Sequence, residues 1–366
     1  VLIGKLLDLI TRLTDLCSPR QCRQTDGQNL LGICRHLFNE APSTPCRSTL
    51  FMPRHWLFAA LLLPLSLSLN ACAAMPAESA SAGSDAVPVA DSAPAVMPDD
   101  ADPALWVIKD EDTTIYLFGT VHILKPGMTW FDEAVKDSFD ASEELVVEMI
   151  KPDPAVMVKI VNDLAIDKTG ISLRDKLTVD DRAKYEAVLT ELNLPLAAFD
   201  ALEPWFASVN LSLIPLMRNG YASDQGADDA LMAQAAARGI KITGLETPEQ
   251  QLGFFDNLPE PVQIRFLNFT IDTIGDSAEG MEQMVIEWAN ANVDELGELM
   301  NAGLEDKILY DTLLVNRNRS WAEWVEQRMK QPGTIFLAVG AGHLAGDSSL
   351  QAVLAQKGIV AERIEY

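Results

Sequence analysis

Residues 334–343 read TIFLAVGAGH: a run of apolar residues, then Gly-x-x-His. A short continuous apolar run that ends at a glycine is how a strand buried on both faces reads, and such strands belong to parallel sheets covered by helices. The same signature occurs at 113–122, TTIYLFGTVH. Working outward from these two, further strands are expected at 105–109, 144–149, 240–245 and 359–364. Helical periodicity is expected near 131–141, 154–166, 179–192, 203–218, 227–238, 248–257, 259–274, 279–290, 293–301, 305–330 and 347–357. Strands interleaved with helices argue for an α/β fold, here a mixed, mostly parallel sheet with a large helical insertion over about 150–330. One helix start is explicit. Thr247-Pro248-Glu249-Gln250 places a capping threonine, a first-turn proline and a glutamine at the third position, the pattern of a capping box.

In open α/β sheets the binding crevice lies beyond the carboxyl ends of the strands. Four strand ends carry chemistry: His122 and His343 from the two Gly-x-x-His stretches, Glu148 in LVVE and Glu246 in ITGLE. Gly119, Gly340 and Gly342 are the turn residues that release the chain from the strands. Two imidazoles and two carboxylates without a thiolate suit Mn, Co, Fe or Zn. Such an ion lowers the pKa of a bound water and polarises a carbonyl, with one glutamate left to act as base. Asp224 and Gln225 open a helix and are either its cap or residues that orient a ligand. Arg317, in NRNR ahead of Trp321 and Trp324, is either a stacked surface arginine or a clamp for an oxyanion or carboxylate, and Asn318 beside it is a residue that could orient a ligand. The run from Gly340 to Ala345 also satisfies G-x-G-x-x-A, with Glu362 about 20 residues on, but a second βαβ unit to complete a dinucleotide site is missing. G-x-S-x-G, HExxH and P-loop motifs are absent from the chain.

The amino-terminal part reads differently. All five cysteines (Cys17, Cys22, Cys34, Cys46, Cys72) fall in the first 72 residues. From Met52 a cationic start, an apolar run and a small-residue exit, WLFAALLLPLSLSLNACAA, read as an export signal over 52–71, too short to span a bilayer. Leu69-Asn70-Ala71-Cys72 resembles a bacterial lipobox, so Cys72 is the expected lipid attachment point. Residues 1–51 then precede a signal that belongs at a start of translation, and are read as a misassigned upstream segment. Residues 72–103, rich in Ala, Ser, Pro and Asp, read as an extended tether, with the folded domain at 104–366. The chain carries 28 basic and 53 acidic residues, a net charge of −25. The first 71 residues hold 7 basic and 4 acidic ones, leaving −28 for the rest. That surface argues against nucleic acid as a partner.

Taken together, IYLFGTVHIL, ELVVEM, YASDQGADDALMAQAAARGIKITGLETPEQQLGFF, LLVNRNRSWAEWV and FLAVGAGHLAGDSSLQAVLAQKGI resemble the TraB/GumN family, also called TraB/PrgY, over about 105–366. The resemblance implies a fold similar to erythromycin-esterase-like and ChaN-like proteins, with the site at strand ends. Animal Tiki proteins, which share the Gly-x-x-His pair, are metal-dependent proteases. The positions implied here are His122, Glu148, Arg317 and His343. The expectation is a periplasmic lipoprotein, outer-membrane anchored, that acts as a metal-dependent hydrolase on a peptide or small-molecule substrate. The competing expectation is a non-catalytic binder of a peptide or haem-like ligand in the same crevice.

Overall fold

The structure is a computed structural model that describes residues 98–301, 304 and 306–366. The export signal, Cys72 and most of the tether lie outside the described residues. Six strands form one sheet: β1 (Leu105–Lys109), β2 (Thr113–Thr120), β3 (Glu144–Met149), β4 (Lys241–Glu246), β5 (Gly333–Gly340) and β6 (Glu362–Ile364). Their spatial order is β4-β3-β5-β2-β1-β6. β4, β3, β5 and β2 run parallel, while β1 is antiparallel to both β2 and β6. The mixed, mostly parallel α/β sheet is therefore as the sequence indicates.

The helices are α1 (Glu133–Asp140), α2 (Pro154–Ala165), α3 (Leu173–Lys176), α4 (Val179–Glu191), α5 (Pro204–Arg218), α6 (Ala227–Arg238), α7 (Pro248–Asp256), α8 (Glu260–Thr273), α9 (Ser277–Ala289), α10 (Val293–Asn301), α11 (Lys307–Tyr310), α12 (Asn316–Arg328) and α13 (Leu350–Gln356). Two departures from the sequence reading matter. The stretch read as one helix over 305–330 is divided by a π-helical turn at Asp311–Val315, where Asn316 N–H bonds Asp311 O, five residues back. The last strand is confined to Glu362–Ile364 rather than starting at Ile359.

Side chains alternate across a strand, so the apolar run of β5 feeds two cores at once. Phe336 and Ala338 join Phe118, Val147 and Trp288 on one face. Ile335, Leu337 and Val339 join Leu117, Val146, and Trp321 and Val325 of α12 on the other. Each such buried side chain contributes roughly 1.5–3 kcal/mol, which is why these strands need no polar alternation. A third core of Leu173, Tyr185, Leu189, Leu211, Leu267 and Ile271 holds α3, α4, α5 and α8 together, so the helical insertion has packing of its own. The folded part already includes residues just before 104. Ala101 is buried, its N–H bonds Thr129 O at 2.9 Å, and Asp102 N–H bonds Ala289 O at 2.8 Å. Among the described residues, no helix is long and apolar enough to cross a membrane.

Candidate functional site

The parallel part of the sheet ends in the order β4, β3, β5, β2, and that order brings together Glu246, Glu148, His343 and His122. His122 follows β2 in a loop, while His343 lies in a 3₁₀ turn at Ala341–Leu344 immediately after β5. The two Gly-x-x-His motifs are offset by one position, because Thr120, not Gly119, lies opposite Gly340 in the β2–β5 register. His343 is buried, whereas the His122 side chain keeps about a quarter of its surface exposed, 25% against 8%. A cavity of about 160 Å³ opens between His122, Glu148, His343 and Arg317, with Phe254, Phe255 and Leu313 as its apolar wall.

Arg317 is the centre of the charge network. Its Nε and Nη2 donate to the two oxygens of Glu246 at 2.9 Å each, and Nη2 also donates to Glu148 Oε2 at 2.6 Å. Nη1 donates to His343 Nε2 at 3.0 Å and to Leu313 O at 3.2 Å. All five guanidinium N–H groups are thus used, and the Trp321 ring lies 4.7 Å beneath the guanidinium carbon. A lysine could not reproduce that fork. Trp321 Nε1 bonds Glu246 Oε1 at 3.0 Å, and Gln251 Nε2 bridges Glu246 Oε2 and Glu148 Oε2 at 2.9 and 3.0 Å. Gln251 Oε1 is buried without a hydrogen-bond partner among the described residues.

Glu148 Oε1 accepts Gly340 N–H at 2.7 Å and faces His343 Nε2 at 4.0 Å. Burial works to raise the Glu148 pKa, but the Arg317 guanidinium beside it holds it well below the usual carboxylate range. Burial and then Arg317 push the His343 pKa well below its ordinary 6.5, against the pull of Glu148. His343 is therefore a neutral ring. Its tautomer follows from Asn318, whose Nδ2 donates to Ser348 O at 2.7 Å and His343 O at 3.3 Å. That leaves Asn318 Oδ1 as the acceptor of the 2.7 Å bond from His343 Nδ1, so Nε2 carries the lone pair. His122 Nδ1 is 2.7 Å from Asp228 Oδ2, and Thr120 Oγ1 donates to Asp228 Oδ1 at 2.8 Å. Burial opposes ionisation of Asp228, yet His122 holds its pKa far below the usual carboxylate range.

The glycines serve close approach. A Cβ at Gly340 would lie 3.2 Å from both Glu148 Oε1 and His122 Nε2, so the bare backbone keeps that space open. At Gly119 a Cβ would press on Ala341 Cα at 3.0 Å, and at Gly342 on Met300 Cε at 3.1 Å.

Of the residues expected from sequence, His122, Glu148, Glu246, Arg317, Asn318 and His343 meet here. Asp224 and Gln225 do not. They are exposed on a 3₁₀ turn ahead of α6, with a 3.4 Å contact to each other. The acid that does meet a histidine is Asp228, one turn further on, and neither it nor Gln251 stands out in the sequence. Asp228 is marked in sequence by nothing more than its place in a helix's first turn, where acids are common.

As a metal site the donor set is partial. Among the described residues, no group of three or more His, Cys, Asp or Glu is set to hold an ion. Both Glu246 oxygens are committed to Arg317, Gln251 and Trp321, which takes Glu246 out of the expected ligand set. His122 Nε2 and Glu148 Oε1 border the space above Gly340. His343 Nε2 faces the same cavity and accepts a bond from Arg317 Nη1. Two imidazoles and one carboxylate around an open space fit a divalent ion in donor type.

Comparison with known proteins agrees with the region. Residues 104–363 match the model of the TraB/PrgY/gumN family. The chain is 24% identical over 259 residues to the uncharacterized protein YbaP of Escherichia coli (strain K12), covering 69% of this chain and 92% of that protein. It is 21% identical over 263 residues to an uncharacterized protein of Treponema pallidum (strain Nichols), covering 67% of this chain and 78% of that protein. No solved structure matches. With the match running through every strand that carries a site residue, the chain belongs to the TraB/PrgY/gumN family.

Proposed function

We propose that the chain is an exported, metal-dependent hydrolase that cleaves a peptide bond. The observation that carries this reading is the convergence of His122 Nε2, His343 Nε2 and Glu148 Oε1 on one cavity, with both Nδ1 atoms bonded to fixed acceptors behind them. A Mn, Co, Fe or Zn ion held by His122 and Glu148, with His343 at the same cavity, would supply a water acidic enough to attack at neutral pH and would polarise the substrate carbonyl. Glu148, ionised by its surroundings, is suited to hold a cation and not to donate a proton. Arg317 keeps Glu148 charged and His343 neutral, and its committed N–H groups make it a positioning residue. Phe254, Phe255 and Leu313 keep water from one side of the cavity and favour an apolar group beside the scissile bond. Residues 52–72 support export and a lipid anchor at Cys72, checked by incorporation of labelled palmitate that a Cys72→Ser change abolishes.

The test is metal analysis of the purified protein joined to digestion of a peptide library across several divalent ions. The expected result is bound metal, with both binding and cleavage lost in His122→Ala and His343→Ala. Absence of metal binding and of cleavage with every ion supplied would overturn the reading. Saturable binding of peptide or haem without turnover would establish the non-catalytic alternative.

A further inference from the structure

We propose that Asp228 is a positioning residue of this site: with Thr120 it fixes the His122 ring in the Nδ1–H form and turns the Nε2 lone pair onto the space above Gly340. Asp228 is 3% exposed and stands in the first turn of α6, where free N–H groups and the helix dipole favour an anion. An ionised carboxylate only accepts hydrogen bonds. Thr120 Oγ1 satisfies Oδ1 at 2.8 Å, so Oδ2 is left to accept the ring proton at 2.7 Å. The backbone enforces the meeting. Ala227 N–H bonds Val121 O at 2.9 Å, and a Cβ at Gly226 would sit 2.1 Å from His122 O, so the start of α6 is pressed against the loop that carries His122.

His343 shows the same task performed by a different group. There Asn318 Oδ1, oriented by the two carbonyls its amide donates to, receives Nδ1–H. The site thus holds both imidazoles with Nε2 inward, one by an anion and one by a neutral amide. An anion behind an imidazole strengthens Nε2 as a donor to a cation or as a proton acceptor, so His122 is the stronger of the two.

The proposal deepens the hydrolase reading, and its test separates the two. Ring ¹⁵N NMR of the histidine-labelled full chain, which has four histidines, reads the His122 tautomer without substrate or metal, at a pH where the ring is neutral. His122→Gln assigns the resonance. The wild type is expected in the Nδ1–H form. Asp228→Ala is expected to shift the ring toward Nε2–H, the form favoured by an unrestrained imidazole, and to lower peptide turnover about 10–100-fold. Asp228→Asn, whose single carbonyl oxygen is claimed by the Thr120 hydroxyl and whose amide N–H then faces the ring, is expected to shift His122 the same way. Wild-type His122 in the Nε2–H form would overturn the proposal, as would Ala and Asn variants that keep both tautomer and turnover. A chain that hydrolyses nothing yet shows the tautomer pattern would sink the hydrolase reading alone.

Discussion

Arg317 shows how much one side chain can decide. Its guanidinium is the shared counter-ion of Glu148 and Glu246 and lies among buried groups, so replacing it leaves two carboxylates without compensation. Breaking a buried pair from one side costs about 3–5 kcal/mol. Arg317→Met is therefore expected to lower unfolding stability by about that amount in urea titration, and Arg317→Lys to recover part of it. A loss under about 1 kcal/mol for the methionine variant would mean that water relaxes around the carboxylates. The pairing was hidden in the sequence, since 71 positions separate Arg317 from Glu246 and 169 separate it from Glu148. Residue types announced themselves, and partners did not. Asp224 and Asp228 illustrate the difference: both precede or open α6, and the rotation of the chain at Gly226 sends one to solvent and the other to His122.

The elements were the most legible part. β1 and β3 lie where their apolar runs begin and end, and α6 spans the stretch between its two glycines, Gly226 and Gly239. The reason is that these signals are local: periodicity, caps and turn glycines act within a few residues. The π-helical turn at Asp311–Val315 was not legible, because an i→i+5 bond has no composition of its own, and such turns are common at functional sites. It sits one step before Arg317, and Leu313 O within it accepts from the guanidinium. α7 carries Gln251, Phe254 and Phe255 to the cavity, and its start is held by reciprocal bonds between Thr247 and Gln250, at 3.2 and 2.8 Å. Thr247→Ala is expected to destabilise the fold by about 1 kcal/mol, read as a lowered urea midpoint with an unchanged slope. An unchanged midpoint would show that packing of Leu252 alone holds the helix.

At the scale of the molecule, the buried titratable groups set a pH dependence with a definite sign. His343, Glu148 and Asp228 all have pKa values below those of an unfolded chain. The unfolded state therefore binds protons that the folded state refuses, and stability falls as pH falls. The first loss begins below about 6.5, where unfolded histidine titrates, and a second follows below about 4. Glu203 and Asp256, raised by burial, act in the opposite direction. Urea midpoints are expected to drop between about pH 6.5 and 5 in the wild type and less so in His343→Gln; equal drops would remove His343 as the cause. The sheet order carries one more consequence. β5, near the end of the chain, is the strand that lies between β2 and β3. Until it arrives, His122 at the end of β2 has no strand beside it to join it to Glu148 and Glu246, and His343 is not yet made. Because a ribosome delivers the chain from its amino end, a nascent chain stopped before Gly333 lacks the strand between β2 and β3, and the site forms when β5 and the turn that carries His343 are added.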